Sequence, residues 1–249
     1  DKQFRFRDLL EKSTIVQIRD LINSSNIQSE KTFYRLNSPV ENTSPLLLLP
    51  PSNGEGLVYK GIAKMLDKKI EIWTVDYNKG VDFNLIDIQI YAQELATLWK
   101  TEIGNKKLSI GGYSLGFRFA YHLALVFKDR VEKLINIDGM LYKSKQEEEA
   151  INKIIVEEEK MISSSDNELV HINDSQKNID LNLQEWFKND YFNKILNVKV
   201  HHFIGEESPV RNYIPKYVSL MNELTLIKGN HGNVLEIEEN LLLISNYCV

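Results

Sequence analysis

Residues 107–128 read KLSIGGYSLGFRFAYHLALVFK, and the order of apolar, glycine and serine positions within them decides the fold. Leu108 and Ile110 form a short apolar run that reads as a buried strand. Gly112-Tyr113-Ser114-Leu115-Gly116 follows at once, and Phe119, Ala120, Leu123, Ala124 and Phe127 then recur at helical spacing. A serine between two glycines at a strand-to-helix junction predicts a turn so tight that the serine takes strained backbone angles. Side chains two positions either side of it would clash, which accounts for glycine at 112 and 116. The hydroxyl is left exposed at a helix N-terminus, where amide donors favour developing negative charge. Glycine and serine also punctuate ordinary loops; the flanking strand and helix mark this turn as the seat of a nucleophile.

Outward from this unit the pattern repeats. Thr32–Leu36 and Leu46–Leu49 read as strands, Leu57–Leu66 as a helix, Ile70–Val75 as a strand and Leu85–Trp99 as a long amphipathic helix. Lys133–Ile137, Val198–Ile204 and Leu224–Ile227 are further strands, and a helix runs from about Leu235 to Tyr247. Such alternation predicts an α/β fold, a mostly parallel central sheet covered by helices on both faces. Residues 142–196 break the rhythm with two helical stretches and no strand-like run. An insertion between late strands predicts a helical lid over the site, in preference to a solvated filler. The polar residues 23–31 read as a linker.

The 249 residues are 43% hydrophobic, enough for one α/β domain with a sizeable core. The net charge is −5 and Lys and Arg are spread along the chain, so no footprint for nucleic acid is present. No apolar run approaches the roughly 18 residues of a membrane span, and the N-terminus carries no signal-peptide core. The single cysteine, Cys248, excludes an internal disulfide and any cysteine-based metal cluster. Together these features predict a soluble cytoplasmic protein with no nucleic-acid or membrane partner and no metal.

A serine hydroxyl needs a base, usually a histidine oriented by a carboxylate. Of five histidines, His122 lies in the helix after the serine turn, His171 in the polar middle, and His201 and His202 inside a strand. His231 stands in the glycine-flanked loop Lys228-Gly229-Asn230-His231-Gly232-Asn233, just after the last strand. Chain order and loop placement make His231 the expected base. Two sources of the acid remain open. Asp138 ends the strand after the serine unit, whereas Glu206 and Glu207 end the next one. All lie at strand C-termini, the edge where open α/β sheets keep their sites; the shorter side chain and sharper placement favour Asp138. An oxyanion hole would use the amide of Leu115 and a second amide from the loop Pro50-Pro51-Ser52-Asn53-Gly54, where Ser52 is the candidate.

These residues together resemble the α/β-hydrolase superfamily, and within it the C-terminal thioesterase domains of non-ribosomal peptide synthetases. The resemblance runs in order over residues 44–249: an apolar strand into Pro50-Pro51, then Gly54-x-Gly56-Leu57-x-Tyr59, the Ser114 turn, Asp138 at a strand end, a helical insertion, and a Gly-x-His loop at Gly229–His231. It implies an acid after the earlier strand, as at Asp138. Stand-alone editing thioesterases are similar but usually carry the acid one strand later, where Glu206 and Glu207 fall. Phe117 stands where family members often have a second glycine, and Gly232 where they often have an aromatic. Both departures would reshape a pocket without removing a reactive group.

The first 22 residues, which include FRFRDLLEKSTIVQIRDLI, resemble the end of a peptidyl carrier domain. Read from residues alone, they hold a loop and one amphipathic helix (Ile15, Ile18, Leu21, Ile22) with Ser13 or Thr14 as N-cap. The expected domains are therefore a carrier remnant at 1–22, the linker, and an α/β-hydrolase domain at 32–249. The resemblance implies release of a peptidyl chain from a phosphopantetheine thioester borne by an upstream carrier domain in the same polypeptide, by hydrolysis or macrocyclisation, with no cofactor bound in this domain. The alternatives are a stand-alone editing thioesterase or general carboxylesterase, and a non-catalytic module that docks a carrier.

Overall fold

The computed structural model describes residues 32–77, 88–141, 153, 196–213 and 222–249. The expected carrier remnant and linker, His171, nearly all of the expected lid and the predicted helix start at Leu85 lie outside these residues. Among the described residues a seven-stranded sheet forms from β1 (Phe33–Arg35), β2 (Leu46–Leu49), β3 (Ile72–Val75), β4 (Leu108–Tyr113), β5 (Val131–Ile137), β6 (Lys199–Gly205) and β7 (Asn222–Ile227). Its order is β1-β3-β2-β4-β5-β6-β7. Only β1 runs antiparallel, with Phe33 opposite Val75; every other neighbour pair is parallel.

β2 consists of four leucines because it is central and both of its faces are buried. The pleat sends Leu47 and Leu49 into one core and Leu46 and Leu48 into the other. The first core lies under α2 (Ile88–Glu102) and α3 (Leu115–Phe127), and holds Trp99, Ile110, Phe119 and Leu123. The second lies under α1 (Lys60–Met65) and α4 (Glu238–Cys248), and holds Ile62, Ile137, Phe203 and Ile244. α3 is buried over most of its circumference, which is why the sequence there is apolar beyond a single stripe. Phe119 packs against Tyr77 and Tyr91 with ring centroids 4.7 and 5.7 Å apart, anchoring α3 beneath the turn that precedes it.

Two helices start later than periodicity predicts, each for a visible reason. Residues expected as one helix from Leu57 split into a 3-10 turn, Gly56–Tyr59, followed by α1. The Gly56 amide is held by Asp76 Oδ1 at 2.9 Å, and the tighter turn carries the Tyr59 ring into the core. α4 starts at Glu238 and not near Leu235. There Asn240 Nδ2 donates to the carbonyls of Val234 and Lys228, holding residues 231–236 as turns. Among the described residues, no helix is long and apolar enough to cross a membrane.

Candidate active site

The Ser114 turn has the strained geometry that its sequence predicts. Ser114 sits at φ 54°, ψ −125°, between the end of β4 and the first turn of α3. A left-handed φ is costly for a residue with a Cβ and persists only where the surroundings impose it. They do so here by close packing. A Cβ on Gly112 would stand 2.2 Å from the Gly116 carbonyl carbon, and one on Gly116 would stand 2.0 Å from Leu49 O. No side chain fits at either position.

The parallel register then brings three distant segments together at the C-terminal edge of the sheet. Ser114 Oγ lies 2.9 Å from His231 Nε2, and His231 Nδ1 lies 2.6 Å from Asp138 Oδ2. With the Nδ1 proton donated to the carboxylate, Nε2 is left as the acceptor for the serine hydroxyl. Asp138 is fully buried and adopts a positive φ of 49°, which Asp tolerates better than most residues. The Asn136 side chain clamps this turn by accepting from the Gly139 amide at 2.8 Å and donating to the Gly139 carbonyl at 2.9 Å. Asp138 Oδ1 accepts the Gly205 amide at 2.9 Å, and Oδ2 accepts the Ser208 hydroxyl at 2.7 Å. A buried carboxylate with three donors is a fixed acceptor, suited to hold an imidazole in one tautomer.

Glu206 and Glu207 are exposed, and neither carboxylate is bonded to His231. Their amides instead donate to Ile227 O and Gly229 O, tying the end of β6 to the histidine loop. Two asparagine-closed turns flank His231: Asn233 Oδ1 accepts the Asn230 amide, and Asn230 Oδ1 accepts the Gly232 amide, each at 2.9 Å. The Tyr113 hydroxyl donates to the His231 carbonyl, and its ring lies against the imidazole. Burial and the nearby charges of Asp138 and Glu236 push the Tyr113 phenol well up, so it stays a donor.

The other described histidines do different work. His122 is buried in α3. His201 bonds Glu223 and Thr225 and stacks on Phe203, on the opposite face of β6 from His202. His202 Nδ1 accepts from Asn136 Nδ2 at 2.9 Å, and burial pushes the ring down to about 4, only partly opposed by the Asn222 side chain. An imidazole in that state remains neutral near pH 7.

Among the backbone bonds of turns and loops in the described residues, none is donated by the Ser52 or Leu115 amide. The Ser52 loop is held from behind. The Tyr77 hydroxyl donates to Pro50 O at 2.7 Å, the Tyr77 amide to Gly54 O at 2.9 Å, and the Tyr34 hydroxyl to Asp76 Oδ1 at 2.6 Å. Sequence reasoning missed Ser208, Asn136, Asn240 and the two tyrosine hydroxyls of Tyr59 and Tyr113. A small polar residue just past the glutamates was a visible signal for Ser208, and Tyr59 closes the glycine motif that follows Pro51. Among the described residues, no group of three or more His, Cys, Asp or Glu side chains is placed to hold a metal ion.

No family model matches the chain. One of the subunits of mycosubtilin synthase from Bacillus subtilis is 23% identical to it over 253 residues, a stretch covering 97% of this chain and 9% of that protein. The chain thus spans a small part of the length of this curated relative. Among solved structures it is similar to the Vlm2 thioesterase domain bound with a dodecadepsipeptide, at TM-score 0.59 and 19% identity, covering 87% of this chain and 97% of that one. It is also similar to the type II thioesterase BorB from the borrelidin biosynthetic cluster, at TM-score 0.62 and 18% identity, covering 90% and 100%. Likenesses of this kind, together with the sheet order and the serine turn, show the α/β-hydrolase fold.

Proposed function

We propose that this chain is a serine thioesterase that releases a peptidyl chain from the phosphopantetheine thioester of a carrier domain. The observation that carries this reading is the line from Ser114 through His231 to Asp138, with spacings of 2.9 and 2.6 Å. In this reading His231 Nε2 takes the proton of Ser114 Oγ as the oxygen attacks the thioester carbonyl carbon. The developing oxyanion is held by the Leu115 and Ser52 amides, and Asp138 stabilises the imidazolium. The carbon–sulfur bond then breaks, and the leaving sulfur takes the proton from Nε2. The acyl group remains on Ser114 until water, or an amine or hydroxyl of the peptide itself, adds to the same carbonyl with His231 as base. The bond from the carbonyl carbon to Ser114 Oγ then breaks, and His231 returns the proton to Oγ. Water yields a linear acid; an internal nucleophile yields a macrolactam or macrolactone.

The carrier is read as an upstream domain of the same polypeptide, working in the cytoplasm, with residues 1–22 as its last segment. The similarity to part of a mycosubtilin synthase subunit and to a thioesterase domain bound with a dodecadepsipeptide supports a peptidyl substrate. Asp138, and not a glutamate at the end of β6, faces His231, which favours chain release over stand-alone editing. The test is mass spectrometry of the products formed from a synthetic peptidyl N-acetylcysteamine thioester. A linear or cyclic peptide from the wild type and none from Ser114→Ala is the expected result. Persistence of intact thioester with the wild type, or equal turnover by the variant, would refute the reading.

A further inference from the structure

The ladder between β2 and β4 ends with Leu49 opposite Gly112. The residue after β2 is Pro50, which has no N–H, and the chain leaves the strand there. At this point the Tyr59 hydroxyl enters the sheet. It accepts the Tyr113 amide at 2.8 Å and donates to Leu49 O at 2.5 Å. One phenol therefore stands in place of a backbone rung, joining the two strands where they part. Tyr59 is fully buried, and burial drives its phenol well up, so the oxygen keeps the proton that this double role requires.

The carbonyl that accepts this hydrogen bond is also the atom packed against the serine turn at Gly116. Leu49 O is the nearest atom to a Cβ built on Gly116, at 2.0 Å. Leu49 leads into the loop that carries Ser52, and Gly116 follows Leu115 directly, so this contact joins the two segments that carry the candidate oxyanion amides. We propose that Tyr59 is a positioning residue that sets the separation of the Ser52 and Leu115 amides, and thereby shapes the oxyanion hole. The proposal rests on the thioesterase reading above. It assigns Tyr59 no contact with substrate; its effect passes through Leu49 and Tyr113. An oxyanion hole gains its effect from donors fixed before the reaction, so small misplacement lowers turnover without weakening ground-state binding.

The test compares wild type with Tyr59→Phe, which keeps the ring and removes only the hydroxyl. With p-nitrophenyl butyrate and a butyryl N-acetylcysteamine thioester, kcat should fall about tenfold to a hundredfold while KM stays within about threefold. Ile62→Val, in the same buried cluster, controls for lost packing and should leave kcat at the wild-type value. A Tyr59→Phe kcat within about twofold of wild type overturns the proposal. Amide exchange supplies a second readout that does not depend on activity. The Tyr113 amide should be protected in the wild type and lose protection in Tyr59→Phe, while Ile110 keeps its own. Exchange of the wild-type Tyr113 amide at the rate of an open loop overturns the proposal, even if the variant does not fold. A wild-type protein inert to both esters and to a fluorophosphonate refutes the thioesterase reading instead. Loss of Tyr113 amide protection in Tyr59→Phe would then still establish the Tyr59 bond and refute only its catalytic purpose.

Discussion

Asp138 and His231 lie 93 positions apart in the chain and meet at 2.6 Å, where Asp138 Oδ2 also takes the Ser208 hydroxyl at 2.7 Å. Asp138→Asn keeps the shape of this contact but can present an amide N–H to Nδ1, which favours the wrong tautomer of His231. Turnover of an N-acetylcysteamine thioester should fall by up to about 10⁴ in kcat. Glu206→Gln and Glu207→Gln should each stay within about threefold of wild type, since both side chains are exposed and make no bond to the imidazole. Steady-state kinetics on the three variants checks the order, and a larger loss at either glutamate would reverse it.

Ser114→Ala removes a single oxygen from a turn held by backbone packing, so the fold should survive. Its kcat should fall by about 10⁴ to 10⁶, with an unchanged circular dichroism spectrum and no labelling by a fluorophosphonate. Ser114→Cys should retain part of the activity and become sensitive to alkylation, because a thiolate can still carry the acyl group.

Ser208→Ala leaves the buried Asp138 carboxylate one donor short. Hydrogen bonds to charged groups contribute about 1.5–3 kcal/mol, so the urea midpoint should drop by a corresponding amount. Because the lost donor shares an oxygen with His231 Nδ1, kcat should fall as well, while KM changes little. Ser208→Thr, which retains the hydroxyl, should recover more of the turnover than Ser208→Ala. Equal activity in wild type and Ser208→Ala would leave Ser208 with a structural role only.

His202 carries a pH prediction. Its folded value lies near 4, below the ordinary 6.5, because burial disfavours the imidazolium. Between those values the unfolded chain binds the extra proton and the folded one does not, so stability falls as pH drops from about 6.5 to about 4. At 1.36 kcal/mol per unit, the full loss is about 3 kcal/mol. His201, also lowered chiefly by burial, acts in the same direction. Urea denaturation at a series of pH values should show this slope in the wild type and a shallower one in His202→Gln. A parallel slope in the variant would assign the acid sensitivity elsewhere.

Much of this protein was legible before folding, where the determinants are local. Four consecutive leucines read as a buried strand because a central parallel strand has no polar face. Gly112-Tyr113-Ser114-Leu115-Gly116 is a strained turn whose steric requirements are met within five residues, and the glycine-flanked loop singled out His231 from five histidines. Helix starts were less legible. Asp76 reaches in from another segment to hold the turn before α1, and Asn240 reaches back from the first turn of α4 to hold the turns before it; periodicity carries no trace of either.

The choice of acid was only half legible: side-chain length and placement favoured Asp138, with Glu206 and Glu207 as strand-end carboxylates of equal chemistry. The sheet order separated them. β5 lies next to β4, so its end delivers Asp138 beside Ser114, and Ser208 and Gly205 close over the carboxylate from β6. Tyr59 is the same kind of case, since its hydroxyl matters only because β2 and β4 part where it enters. Short-range sterics and hydrophobic period are written along the chain; the meeting of residues far apart in it depends on strand order and register, which arise only when the whole sheet assembles.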